Sequence, residues 1–203
     1  MTLRLRPVME IDGFKRSLEI SGELTAADLE AALSVLADEA QDVVGELLDR
    51  DGLIATGGLE LHDGRTGVTI TPGCCSGLED WRTWAEALDG RSPWMGHDPS
   101  PSIEVDGDLM RVWQNGGLGE SRSGCACVEL PVAALPPLLL AVQSDLMGFL
   151  RRVEQWADAV APTLSARLVA KVDDALAISA PLDLPGEAEV TPPAGSRHRG
   201  EEA

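Results

Sequence analysis

Two Asp-Gly dipeptides, at 63–64 and 106–107, are flanked on both sides by alternating apolar residues. Leu59 and Leu61 lead into the first, and Val68 and Ile70 leave it. Ile103 and Val105 lead into the second, followed by Leu109-Met110-Arg111-Val112-Trp113. Asp-Gly between two alternating runs is the strongest short-range hairpin signal, because tight hairpin turns need a positive φ that glycine takes without steric cost. Strands joined this way are antiparallel, which argues against a doubly wound parallel sheet. With Asp106-Gly107 as the two loop residues, Ile103 faces Met110, and Glu104 lies opposite Leu109 and diagonal to Arg111. Shorter strands are expected around Leu3-Arg4-Leu5 and Ser17-Leu18-Glu19-Ile20, and another from Cys125 to Leu130.

Helices fill the gaps. Thr25 is a good N-cap for one long helix to about Asp49, with Leu29, Leu33, Leu36, Ala40, Val43 and Leu47 as its apolar stripe. Ser76 and Glu79 have capping-box spacing ahead of a helix over 77–89 that presents Leu78, Trp81, Ala85 and Leu88. A helix with Pro137 in its first turn carries Leu139, Val142, Leu146, Phe149 or Leu150, Val153 and Trp156, and Pro162 ends it. A last helix from about Thr163 carries Leu164, Leu168, Val172 and Leu176. The pattern predicts an α+β domain over residues 1–180, a mainly antiparallel sheet built from hairpins with helices packed on one face. A disordered tail rich in Pro, Gly, Glu and Ala is expected over 181–203.

Charge narrows the partners. Sixteen basic residues against 34 acidic ones leave a net charge of −18. Nucleic acid and anionic membrane surfaces are excluded as partners on this reading, since both demand clustered Lys and Arg. A basic protein would be steered in by the same field. Met1-Thr-Leu-Arg-Leu-Arg-Pro has no signal-peptide pattern, and prolines 131, 136 and 137 interrupt the longest apolar run, so a cytoplasmic protein with reduced thiols is expected.

Four cysteines form the one constellation with chemical potential. Cys74 and Cys75 precede a predicted helix start, where the helix dipole favours thiolate. Cys125 and Cys127 fall on one face of a predicted strand. Three readings follow. Cys74, Cys75, Cys125 and Cys127, with His97 as a further candidate ligand, could hold zinc or an iron–sulfur cluster, although Cys-Cys and Cys-Ala-Cys are closer than the usual structural zinc spacing. Cys75 could serve a thiol-dependent enzyme or redox protein as nucleophile, with His97 as base and Asp98 as its orienter. The plainest alternative makes Cys74 and Cys75 small buried residues closing a turn, with no cofactor bound.

A long loop from Asp89 to Pro101 has three prolines and two glycines, which rule out regular structure, and it bears Trp94, Met95, His97 and Asp98. Loops held on a scaffold concentrate binding residues. The favoured functional expectation is an acidic protein-binding module, immunity- or antitoxin-like, that captures a basic protein through Trp94, His97 and Asp98.

Overall fold

The structure, a computed structural model, describes residues 3–11 and 16–184. The first strand, β1 (Leu3–Ile11), pairs antiparallel with β2 (Arg16–Glu19) on one side and β3 (Gly57–Asp63) on the other, and β4 (Val68–Ile70) completes the order β2-β1-β3-β4. A second antiparallel sheet holds β5 (Ser102–Asp106), β6 (Leu109–Trp113) and β7 (Cys127–Pro131) in that order. The expected α+β architecture is present, with its strands divided between two sheets. Gln114 stitches them together: its Oε1 accepts from the Thr71 N–H at 2.9 Å and its Nε2 donates to the Thr71 carbonyl at 3.0 Å.

Both hairpins form with longer or shifted turns. Asp63 pairs with Val68, so the first loop is four residues long. The Asp63 carboxylate caps it, accepting from the Arg65 N–H at 2.8 Å and the Thr66 hydroxyl at 2.8 Å. In the second hairpin Asp106 pairs with Leu109, so Gly107-Asp108 is the loop; the turn sits one residue later than expected and each cross-strand partner shifts by two. Ile103 lies opposite Val112 and Glu104 directly opposite Arg111. Asp106 thus stays in the ladder, where its carboxylate is 4.0 Å from Arg111 Nη1.

The expected helix from Thr25 to Asp49 is two helices, α1 (Ala26–Leu36) and α2 (Val43–Asp49). Asp38 and Glu39 turn left-handed between them, with φ of 54° and 57°. Asp42 then caps α2 by accepting from the Gly45 N–H at 3.0 Å. Lys171 donates to the Arg50 carbonyl at its other end, where positive charge suits the helix dipole. Leu29, Leu33, Leu36 and Leu47 are buried as the stripe requires.

The segment Leu78–Asp89 is helical throughout but is a 3₁₀ helix. Its buried residues, Leu78, Trp81, Trp84 and Ala87, recur every third position, the period of a 3₁₀ turn. The expected capping box is absent: the Glu79 carboxylate accepts from the Ala55 N–H at 3.0 Å instead, and Gly77 is the N-cap.

Two helices, α3 (Leu135–Val160) and α4 (Ser165–Leu176), close the fold. The helical stretch Val132–Val160 is long and apolar enough to cross a membrane, yet Leu139, Val142, Leu146, Phe149 and Val153 lie in the core shared by both sheets. Each such fully buried side chain contributes about 1.5–3 kcal/mol. Order continues past the expected domain end at 180. Arg82 donates to the carbonyls of Ala177, Ile178, Ala180 and Pro181, Gln143 donates to Ile178 and Ala180, and Leu182 and Leu184 pack on the core. The rest of the expected tail, 185–203, lies outside the described residues.

A candidate metal centre at Cys74, Cys75 and His97

The chain leaving β4 crosses the Trp94–His97 stretch as a short antiparallel ladder. Gly73 N–H donates to the Met95 carbonyl at 2.8 Å, and Cys74 and His97 exchange reciprocal bonds of 2.7 and 3.0 Å. Two glycines permit the crossing. A Cβ on Gly73 would sit 1.9 Å from the Pro99 carbonyl oxygen, and one on Gly96, whose φ is +94°, would sit 2.4 Å from the Gly73 oxygen. The Ser76 carbonyl accepts from the Gly57 N–H and the Ala55 carbonyl from the Leu78 N–H, so β3 and the chain before it anchor the far side.

Cys75 follows in left-handed conformation, with φ of 61°. In a regular strand neighbouring side chains point to opposite faces. The left-handed residue breaks that alternation, and the sulfurs of Cys74 and Cys75 come to 3.4 Å of each other. A non-glycine residue held there costs on the order of 1–3 kcal/mol. The two sulfurs and a ring nitrogen of His97 all lie within 4.8 Å of one another. A tetrahedral zinc with Zn–S of about 2.3 Å and Zn–N of about 2.0 Å needs ligand edges of about 3.5–3.8 Å. The sulfur pair nearly has that spacing already, and His97, within 4.8 Å of both, needs to close by about an ångström at most.

Supporting groups surround the three. Asp98 Oδ2 is 3.2 Å from His97 Nδ1, which leaves Nε2 for a ligand. Trp94 Nε1 donates to the Cys75 carbonyl at 3.2 Å, and its ring centroid is 6.4 Å from that of His97. The Trp94 side chain is therefore pinned by its N–H and yet 49% exposed. The hydrogen bond shared with Cys75, followed by partial desolvation and the negative charges of Cys75 and Glu10, pushes the Cys74 thiol above its ordinary range. Burial likewise raises the Glu10 carboxyl. Glu10, Ser17, Thr71, Cys74 and Asp98 line a groove of about 490 Å³ that opens beside the cluster.

Cys74 and Cys75 are exposed, which corrects the expectation that they are buried packing residues. The turn that bends Cys75 left-handed swings the thiols outward. Cys125 and Cys127 stand outside the three-residue group. The Cys125 thiol donates to the Ser121 carbonyl at 3.5 Å, and burial with the neighbouring Glu129 pushes the Cys127 thiol up. Among the described residues neither Cys74 nor Cys75 hydrogen-bonds to the His97 ring, so the Cys–His contact that would activate a nucleophile is missing. Glu10, Gly73 and Gly96 belong to the site without having been marked in the sequence. Pro72-Gly73 and Gly96-His97 carried the only signal for them. No protein-family model, curated protein or solved structure matches the chain.

Proposed function

We propose that the chain is a metal-binding protein whose Cys74, Cys75 and His97 hold one thiophilic cation, zinc before others, at its surface. The observation that carries this is the convergence of two sulfurs and an imidazole nitrogen within 4.8 Å. Two soft thiolates with an imidazole suit Zn²⁺, whereas magnesium or calcium would want oxygen ligands. Three protein ligands leave one position open, as at zinc sites that accept an exchangeable group. The test is zinc content after reduction, loading and dialysis. One zinc per chain in the wild type and none in Cys74→Ser or His97→Ala supports the reading, and equal zinc in all three overturns it.

A second reading is favoured by Trp94, half exposed beside the same cluster on a chain of net charge −18. It makes the surface a docking site for a basic protein, in the manner of an immunity protein, with Trp94 as anchor and His97 and Asp98 beside it. Pull-downs with wild type and Trp94→Ala at low and high salt test it. Basic proteins retained by the wild type, lost with Trp94→Ala and lost at high salt support docking. Identical recoveries from both proteins overturn it.

A further inference from the structure

We propose that Cys74 and Cys75 form a redox switch on this centre: a small-molecule disulfide oxidises the pair to an intrachain disulfide, and the cation is expelled. The inference rests on the metal reading above and adds its regulation. Both sulfurs are exposed, so an oxidant reaches either one. They stand 3.4 Å apart, and closing to a bond of about 2.05 Å needs movement of little more than an ångström.

The step balances without any further reagent. One thiolate attacks the oxidant, forming a mixed disulfide and releasing one thiolate of the oxidant. The neighbouring cysteine sulfur then attacks the mixed disulfide, forms the Cys74–Cys75 bond and releases the second thiolate. Two electrons pass from the cysteine pair to the oxidant, which is reduced to two thiolates. Metal binding requires deprotonated sulfur, so two of the three ligands are lost in a single event and His97 alone remains.

The bond so formed is also readily undone. The peptide between the two cysteines is trans, because Asp98-Pro99 is the one cis bond among the described residues. Adjacent Cα atoms across a trans peptide are about 3.8 Å apart, below the usual disulfide range that begins at about 4.4 Å. A disulfide closed across that short span is strained, and strained, exposed disulfides are the labile and regulatory ones.

Zinc-loaded protein titrated with glutathione disulfide tests the switch, with zinc release read by a chromogenic chelator and the product read by peptide mass. The expected result is a peptide spanning residues 74–75 lighter by two hydrogens, zinc released in step with it, and recovery of both on adding a dithiol reductant. Cys75→Ser should stop at a glutathione adduct on Cys74. His97→Ala, which leaves both sulfurs in place, should still close the disulfide. Zinc retained after the disulfide forms, or a stable glutathione adduct on the wild type, overturns the switch and leaves the metal reading intact. Reduced wild-type protein that takes up no zinc at the outset overturns the metal reading itself.

Discussion

Cys74 and Cys75 sit in a turn crossed by a second segment of chain, where their sulfurs meet each other and come within 4.8 Å of a His97 ring nitrogen. Cys125 lies two residues before β7 and donates to the Ser121 carbonyl, while Cys127 opens β7 and shares its outer face with Glu129. The second pair has the wider spacing in sequence, the one nearer to metal-ligand spacing, and it is the first pair that assembles with a third candidate ligand, His97. Spacing along the chain sets where side chains start. The crossing sets where they end, and it depends on residues that carry no chemistry themselves.

The largest effect follows from breaking that crossing. Gly73→Ala puts a methyl against the Pro99 and His97 backbone, which cannot move aside as a flexible side chain would. The expected cost is about 3 kcal/mol, at the top of what overpacking usually causes, with loss of zinc binding. Gly124→Ala is the matching change beside the second pair. Gly124 has a φ of 76° but open space around it, so only the left-handed penalty of about 1–2 kcal/mol applies. Urea midpoints of the two variants check the order. A cost at Gly73 no larger than at Gly124 would remove the crossing as the explanation.

Next in size is the ligand exchange. Cys74→Ser or Cys75→Ser should weaken zinc binding by more than the about 10–100-fold that loss of a supporting contact costs. Cys125→Ser with Cys127→Ser should leave it unchanged. Competition with a chelator of known affinity separates the two results, and a drop in the second variant would return those cysteines to the site.

These contrasts also mark what the sequence makes legible. Hairpins, the inward stripes of α3 and α4, and the residues of the Trp94–Asp98 loop are local patterns, and they form where the sequence places them, with the second hairpin's turn one residue later. The 3₁₀ period of Leu78, Trp81, Trp84 and Ala87 was hidden because its first two positions also fit an α-helical spacing. The break between α1 and α2 was hidden because Ala37 to Gln41 holds no Gly or Pro, and the Asp42 cap decides it. Convergence of Cys74, Cys75 and His97 is non-local. It needs Gly73 and Gly96 to let two backbones touch, and nothing in the spacing of the ligands encodes that contact.

A smaller effect is expected from the group behind His97. Asp98→Asn keeps the size of the side chain and removes the charge that holds the imidazole in orientation. The Asp98 side chain is largely exposed. Zinc affinity should therefore fall by about tenfold, the low end for such partners. An unchanged affinity would mean that His97 binds without that support.

The finest distinction between the pairs is the origin of their reluctant thiols. Cys74 is pushed up first by its hydrogen bond with Cys75, whereas Cys127 is pushed up first by burial and only then by Glu129. Removing a named neighbour should therefore act unequally. In metal-free protein, Cys75→Ala should move the alkylation profile of Cys74 to lower pH, because the contact that favours the neutral thiol is gone. Glu129→Gln should move Cys127 in the same direction by less, since its burial persists. The same proton competition makes zinc binding weaken as the pH falls, because Cys74 must lose its proton to become a ligand. Iodoacetamide rates across pH, resolved by peptide mass, measure both thiols in one experiment. Equal shifts would show that the two pairs differ in position alone, whereas a larger shift at Cys74 ties its chemistry to the residue beside it.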